Sequence, residues 1–456
     1  MDASRLLPRI AITPENATEV IGKVMMPDVY PITVDLARSQ GNRIFDSRGQ
    51  RFYLDCFSYI ASNPVGHNHP KLFEAEFERK LLRAARSKPS SSDFHTVELA
   101  EFVDAFRRLA MPPSFNHLFL VEGGAVAVEN GMKVAFDWKV RKNFARNGMS
   151  AGSGGAERGT QIIHFEQAFH GRCGYTLSVT NTADPRKTKF FPKFPWPRIT
   201  NPKLRFPLTE AVLKEIIEAE QHAVAAIERA CIDHEGDIAA ILIEPIQAEG
   251  GDNHFRPEFH QALRRLADTH GTMLIYDEVQ TGVGLTGRMW AYEHYGVTPD
   301  IVCFGKKMQV CGIMVGPRVE EVENHVFKEA SRINSTWGGN LCDMVRAQRF
   351  LEIIHEDGLV ANAAAVGALF LTELEKLCQE YPDTLSNARG KGLMCAVDVN
   401  GIDLRDTIMK ELFCRGAIVL KCGINSLRFR PSLTFTPADV AELMGMLDET
   451  VRALRP

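Results

Sequence analysis

Residues 272–307 read "TMLIYDEVQTGVGLTGRMWAYEHYGVTPDIVCFGKK", and this stretch indicates the fold class most directly. It holds two continuous apolar runs, and charged side chains follow the end of each run. Continuous rather than alternating apolarity is typical of strands that are covered on both faces. Similar short runs, separated by stretches of helical pattern, are "HLFLVEGG" (117–124), "QIIHFE" (161–166), "GYTLSVT" (174–180) and "AAILIEPI" (239–246). The pattern predicts an α/β fold with a mostly parallel sheet and helices on either side.

The carboxyl ends of these predicted strands are the chemically richest places in the sequence. They carry Gly-Gly, Glu-Pro, Asp-Glu and Gly-Lys-Lys. Because ligands of such sheets bind at the carboxyl ends of the strands, we expect the functional site along this edge.

Composition and charge narrow the class of ligand. The chain has 456 residues, 45% hydrophobic and 24% charged, which is typical of a soluble globular protein with two or three domains. Its net charge of −4 gives no basic field for nucleic acid or for an anionic membrane, so we expect neither partner and favour a small-molecule ligand. The ten cysteines form no C-x-x-C pair, and no apolar run is long enough for a signal peptide or a membrane span. These features favour the cytoplasm.

The sequence pattern changes twice along the chain, which predicts three segments. Residues 1–65, which include a hairpin over 42–55, are expected to join a small domain; residues 66–330 form the large domain; residues 331–456 form a C-terminal small domain of α+β type. The Gly/Ser-rich stretch 147–159 predicts a surface loop.

Gly123, Gly124 and Ala125 lie between an apolar strand and a helix. Small residues there let backbone N–H groups approach a phosphate, and the helix dipole favours an anion at this end. A tight turn without a ligand is the alternative, since glycine-rich turns are common.

Two further strand ends carry ionisable groups that are costly to bury. For Glu278 we expect a salt bridge to an arginine, and for Asp277 a partner that must stay cationic, such as a pyridinium nitrogen. Lys306 and Lys307 end the next strand, where burial favours a neutral amine that can react with an aldehyde. Two lysines that extend to solvent are the alternative. A phosphate-binding turn, a buried aspartate and a reactive lysine are together the groups that bind pyridoxal 5′-phosphate (PLP).

The order of these motifs resembles that of the class III (ω-amino acid) aminotransferases, which have PLP-dependent transferase fold type I. Within that family, the motifs look like those of the L-lysine 6-aminotransferases: "QAFHGRCGYTLSVTNT" (167–182), "EPIQAEGGDNHFRPEF" (244–259), "RINSTWGGNL" (332–341) and "LRFRPSLT" (427–434). The resemblance covers nearly the whole chain. It implies a homodimer with shared active sites that transfers the ε-amino group of L-lysine to 2-oxoglutarate. Another ω-amine donor, such as ornithine, GABA or a diamine, is the alternative.

The resemblance also implies which residues contact the cofactor. Lys306 would bind PLP covalently and later move a proton, and Asp277 would hold the pyridinium proton. The other matching positions are Gly124 and Ala125 for the phosphate, Thr336 for the phosphate of the neighbouring subunit, Phe169 for the ring face and Gln280 for the phenolic oxygen. Ungapped spacing from Asp277 favours Lys306 as the reactive lysine, whereas a register that aligns the following glycine favours Lys307.

Two arginines and a glutamate are implied to sort the substrate carboxylates. Arg172 would bind the carboxylate far from the reacting carbon, and Arg428 the one next to it. Glu249 would pair with Arg428 while lysine is bound, because a buried guanidinium needs an anion. Arg430 is the alternative to Arg428, and Asn334 is a further expected substrate contact.

His67, His69 and His170 are not spaced as metal ligands together with carboxylates. Each is expected to be hydrogen-bonded inside the protein, and we predict no metal site.

Overall fold

The structure is a computed structural model, and it describes residues 10–27, 30–146 and 157–454. Its helices are α1 (Ala17–Gly22), α2 (Ser58–Ala61), α3 (Ala75–Ala85), α4 (Val97–Leu109), α5 (Gly124–Arg146), α6 (Gly174–Val179), α7 (Glu210–Asp233), α8 (Pro257–Thr269), α9 (Leu341–Glu356), α10 (Leu359–Glu380), α11 (Ile402–Arg415) and α12 (Pro437–Ala453). Its strands are β1 (Val34–Gln40), β2 (Arg43–Asp46), β3 (Arg51–Asp55), β4 (His117–Val121), β5 (Gln161–Phe165), β6 (Arg198–Ile199), β7 (Ile238–Ile243), β8 (Met273–Asp277), β9 (Ile301–Phe304), β10 (Cys311–Val315), β11 (Leu385–Lys391), β12 (Met394–Val399), β13 (Ala417–Ile418), β14 (Leu420–Cys422) and β15 (Ser426–Phe429). Part of the predicted surface loop, residues 147–156, lies outside the described ranges.

A seven-stranded sheet forms the centre of the fold, in the order β4-β10-β9-β8-β7-β5-β6. Neighbours from β9 to β6 are parallel, and β10 alone runs antiparallel to β4 and β9. Every residue of β7, β8 and β9 is buried, which is why these strands have continuous apolar sequences. The prediction of a mostly parallel sheet in an α/β fold is confirmed.

Local signals in the sequence set where the helices begin. The Thr96 hydroxyl accepts a hydrogen bond from the Leu99 N–H at 3.1 Å and caps α4. At α12, Thr436 and Asp439 cap each other's backbone N–H groups.

Residues Gly174–Val179 form α6, so the predicted strand over 174–180 was wrong. The N–H of Tyr175 donates to Glu129 on α5 at 2.9 Å, and the Thr176 hydroxyl accepts from the Cys173 N–H at 3.1 Å. Both contacts fix a helix start. The last four residues of α6 are buried, and a helix buried in this way has the same continuous apolar sequence as a buried strand.

Two smaller sheets accompany the central one. The antiparallel sheet β11-β12-β15-β14 packs with α10 and α11, and the sheet β1-β2-β3-β13 joins the N-terminal strands to the C-terminal part of the chain. The predicted hairpin over 42–55 is confirmed as β2 and β3. Pairing of β3 with β13 agrees with an N-terminal segment that belongs with the C-terminal one, although the boundaries at 65/66 and 330/331 stay a prediction.

Within the described residues, no single helix has both the length and the apolarity of a membrane span. The bent pair α9 and α10 meets the criterion only when the two helices are joined across a 65° bend.

Candidate active site

Asp277 ends β8 and is buried. Its Oδ2 lies 2.8 Å from Nδ1 of His170, and its Oδ1 accepts a hydrogen bond from the Val279 N–H at 3.0 Å. His170 is buried too, and its Nε2 has no hydrogen-bond partner within the described chain. The histidine therefore fixes the direction of the Asp277 carboxylate, and the predicted interior hydrogen bond of His170 is present.

Glu278 has no arginine partner in the described residues, so the predicted salt bridge was wrong. Its carboxylate accepts hydrogen bonds from the Thr281 hydroxyl and from the Tyr292 N–H. Burial raises the pKa of Glu278 to about 7. A hydroxyl and backbone N–H groups thus satisfy this carboxylate without a cation.

The two lysines after β9 have different surroundings. Lys307 is 2% exposed, and its Nζ donates to the carbonyl of Gln280 at 2.7 Å and to that of Ala61 at 3.4 Å. Lys306 makes no side-chain hydrogen bond to any described residue. Removal from water lowers the pKa of its amine, while the Asp277 carboxylate nearby partly opposes that shift. These contacts favour Lys306 over Lys307 as the reactive amine.

The backbone at Lys306 is strained as well. Its φ is +48°, a left-handed conformation that is uncommon for a residue with a side chain. Such strain is often found at functional sites.

Gly124 begins α5, a helix of 23 residues, at the same sheet edge. A Cβ at Gly124 would lie 2.9 Å from Cγ1 of Val279, and one at Gly171 would lie 2.4 Å from Cβ of Ala125. The loops therefore approach the helix start closely. The first N–H groups of a helix have no partner within it, so Gly124 and Ala125 can offer them to an anion.

Glu244, just after β7, organises the loop that carries Phe169, and no role was predicted for it. One carboxylate oxygen accepts from the Phe169 N–H and the other from the Ala248 N–H, both at 3.0 Å. Burial raises the pKa of Glu244 to about 7. The Glu-Pro at the end of a predicted strand was the available signal for this residue.

Gln280 is held by two arginines: Arg428, the predicted substrate contact, and Arg430, its alternative. Its Oε1 accepts from Nη1 of Arg428 at 3.2 Å and from Nε of Arg430 at 3.0 Å. Arg430 also pairs with Asp252 at 2.5 Å, and both side chains are 0% exposed. An arginine saturated in this way is structural, which favours Arg428 as the substrate contact.

Glu249 lies between two cations. Its Oε2 is 2.5 Å from Nη2 of Arg428, and its Oε1 is 2.6 Å from Nζ of Lys187. Burial alone would raise the pKa of Glu249, but Arg428 and Lys187 hold it below its usual value. The predicted contact between Glu249 and Arg428 is therefore present, and Lys187 is a partner that sequence reasoning missed.

Arg172 is exposed, and its Cζ lies 5.9 Å from the centroid of the Phe169 ring. No carboxylate in the described ranges pairs with it, so its guanidinium remains able to bind a substrate anion.

Asn334 and Thr336 are exposed, and their described contacts lie outside the group around Lys306. Asn334 Oδ1 accepts from the Ser335 N–H, and the Thr336 carbonyl accepts from the hydroxyls of Ser90 and Ser92. The chain does not bring these two residues into its own site, and their predicted roles stay predictions.

The predicted histidines pair with carboxylates. His67 lies 2.8 Å from Asp55, and His69 lies 3.1 Å from Asp357. Each of these histidines contacts one carboxylate, and Asp357 also pairs with Lys71 at 2.6 Å, which is not the arrangement of a set of metal ligands.

One other group among the described residues has the composition of a metal site. His117 and His325 both contact Glu320, at 2.6 and 3.1 Å. However, the Phe327 N–H donates to Nδ1 of His325, so Nε2 of that ring carries a proton and has no lone pair for a metal. Nζ of Lys328 also pairs with the Glu320 carboxylate, at 2.9 Å. These contacts are those of an ion-pair cluster around Glu320. The absence of a metal site stays a prediction.

The residues at the sheet edge fit PLP. Gly124 and Ala125 could supply N–H groups for a phosphate, Asp277 a fixed carboxylate, Phe169 an aromatic face and Lys306 a desolvated amine. These groups have the chemistry that the phosphate, ring nitrogen, ring face and aldehyde of that cofactor need.

Comparisons with known proteins agree with this geometry. The family model described as "Aminotransferase class-III" matches residues 24–451. The chain is 48% identical to an L-lysine-epsilon aminotransferase of Mycobacterium bovis over 94% of this chain and 93% of that protein. It is 43% identical to an L-lysine-epsilon aminotransferase of Streptomyces clavuligerus, over 96% and 95% of the two chains.

A solved structure of similar fold is the lysine aminotransferase from M. tuberculosis in the internal aldimine form. It superposes with a TM-score of 0.93 at 46% sequence identity, over 97% of this chain and 100% of that chain. The chain therefore belongs to the class III aminotransferases, and it is a PLP-dependent transaminase of fold type I.

Proposed function

We propose that this chain is an L-lysine:2-oxoglutarate 6-aminotransferase. It would transfer the ε-amino group of L-lysine to 2-oxoglutarate and give glutamate and 2-aminoadipate 6-semialdehyde, which cyclises. Its similarity to L-lysine-epsilon aminotransferases from several bacteria supports this donor.

The observation that carries the proposal is that only one of the two arginines has an acidic partner. Arg428 forms an ion pair with Glu249, whereas Arg172 has no acidic partner among the described residues. Lysine that reacts through its side chain has its carboxylate far from the reacting carbon, so Arg172 would bind it while Glu249 covers Arg428.

The second substrate needs the opposite arrangement. 2-Oxoglutarate has one carboxylate next to its keto carbon and one distant from it. The near carboxylate would displace Glu249 from Arg428 and form a bidentate pair with its guanidinium, and the distant one would bind Arg172.

The residues near the sheet edge would hold PLP and use it. When bound, the cofactor supplies an aldehyde that condenses with amines and a ring that withdraws electrons. Asp277, fixed by His170, would keep a positive charge on the ring nitrogen, and Phe169 would cover the ring. Nζ of Lys306 would accept a proton from the reacting carbon of the substrate, which its lowered pKa favours.

Gln280 would contact the phenolic oxygen of the cofactor through its amide nitrogen. Arg428 and Arg430 can only donate hydrogen bonds, so the atom they contact must be the amide oxygen. The NH₂ group makes no hydrogen bond within the described residues and is able to donate to the cofactor.

The proposal includes a homodimer in the cytoplasm. Thr336 is exposed, which agrees with a role at the phosphate of the neighbouring subunit, and Asn334 would contact the substrate from the same segment. Measurement of the molecular mass in solution tests the dimer.

Assays of amino donors, one at a time with 2-oxoglutarate, test the function. We expect glutamate production to be fastest with L-lysine and slower with ornithine, GABA and diamines. If lysine is the poorest donor, the alternative of another ω-amine substrate replaces this assignment.

A further inference from the structure

The Glu249 carboxylate contacts a second cation besides Arg428, the ammonium group of Lys187. Lys187 ends a short turn, Pro185–Lys187, whose start is capped by Asp184. Its side chain is 15% exposed, that of Glu249 is 25% exposed and that of Arg428 is 3% exposed. Lys187 is thus more exposed than Arg428, and Glu249, the most exposed of the three, contacts both cations.

The backbone that carries Glu249 is held on several sides. The Gly423 N–H donates to the Glu249 carbonyl at 3.0 Å, and an isolated bridge joins Gln247 to Asn253. Gly250 packs so closely that a Cβ there would be 1.9 Å from the Gln167 carbonyl oxygen. Glu249 can therefore exchange partners only by rotation of its side chain.

Binding of the keto acid at Arg428 would leave Glu249 without its arginine partner, and Lys187 can remain as a cationic partner. The carboxylate of the keto acid would pair with the Arg428 guanidinium in place of Glu249. A partly buried carboxylate without a partner is costly, and it repels a second carboxylate nearby. Lys187 already contacts Oε1, and an ammonium on a flexible four-carbon chain can follow the carboxylate as it rotates.

We propose that Lys187 is a positioning residue that keeps Glu249 paired while 2-oxoglutarate occupies Arg428. This inference rests on the proposed function and deepens it, because it assigns the second half-reaction its own residue. In the lysine half-reaction Glu249 stays on Arg428, so Lys187 contributes little there. Loss of Lys187 should therefore weaken one substrate selectively.

Separate measurements of the two half-reactions test the inference. In Lys187→Met, we expect the apparent dissociation constant of 2-oxoglutarate for the pyridoxamine form to rise about tenfold. The constant for lysine with the pyridoxal form should change less than about twofold. Lys187→Arg keeps the cation and should restore most of the 2-oxoglutarate affinity. Lys189→Met, an exposed lysine two residues further on, is the matched control and should behave as the wild type.

A double-mutant cycle separates a partner of Glu249 from a direct substrate contact. In a Glu249→Gln background there is no carboxylate to hold, so Lys187→Met should have little further effect on 2-oxoglutarate binding. An equal tenfold loss in both backgrounds would overturn the proposal and make Lys187 a direct substrate contact. Equal losses for lysine and 2-oxoglutarate, or no loss for either, would overturn it too. If the wild type itself does not transaminate lysine with 2-oxoglutarate, it is the proposed function that fails.

Discussion

The buried pair between Asp252 and Arg430 permits a quantitative test of which arginine binds substrate. Asp252→Asn keeps the shape of the side chain and removes its charge. The two groups are 2.5 Å apart and 0% exposed, so Arg430 would stay buried beside a neutral amide. Charge centres about 4 Å apart attract each other by about 4 kcal/mol at an effective dielectric of 20, and loss of one partner of a buried pair costs about 3–5 kcal/mol. We expect the free energy of unfolding to fall by about that amount.

Denaturant unfolding followed by circular dichroism measures this change, with Asp184→Asn as the matched control. Asp184 pairs with Arg186 at 2.9 Å, but the Arg186 side chain is 88% exposed, so solvent screens the pair and the same substitution should have no measurable effect. The KM for 2-oxoglutarate of folded Asp252→Asn should rise less than about threefold. A large rise in that KM with unchanged stability would refute the reasoning and make Arg430 the substrate contact.

Three further predictions concern the cofactor site. Lys306→Met should lower transamination at least about a thousandfold and leave no lysine adduct after borohydride reduction, whereas Lys307→Met should keep the adduct; peptide mass spectrometry distinguishes the two outcomes. His170→Phe removes the 2.8 Å contact to Asp277 and should lower kcat/KM about tenfold by steady-state kinetics, and an unchanged value would mean that Asp277 needs no support. Because burial lowers the pKa of Lys306, uptake of PLP by the apoprotein should rise with pH as the amine loses its proton, with a midpoint below 10.5; a midpoint at or above 10.5 in absorbance-monitored uptake would contradict this.

The strands of the central sheet and the functional residues at their carboxyl ends could be predicted, because short stretches of sequence indicate both. Asp277 and Lys306 each follow an apolar run, and parallel strands bring their carboxyl ends to one edge whatever the details of packing. Short stretches of sequence do not distinguish Lys306 from Lys307. The distinction depends on which of the two amines donates hydrogen bonds to the carbonyls of Gln280 and Ala61.

The features that the sequence did not reveal depend on contacts between distant segments or on buried surroundings. Lys187 reaches Glu249 across 62 positions of sequence, and no pattern around either residue indicates the pair. Glu278 was expected to need a cation, but a hydroxyl and main-chain N–H groups satisfy it. The segment 174–180 was misassigned because burial gives a short helix and a strand the same apolar composition.

The parallel pairing of β3 with β13 has a consequence for synthesis on the ribosome. Leu54 and Cys56 donate their N–H groups to carbonyls of Gly416 and Ile418, each of which is translated 362 residues after its partner (416 − 54 and 418 − 56). Until then one edge of the nascent hairpin has unpaired donors, and an open edge of this kind invites pairing with other polypeptides. Emergence of the segment around Gly416 and Ile418, rather than of the first strands, therefore closes that edge.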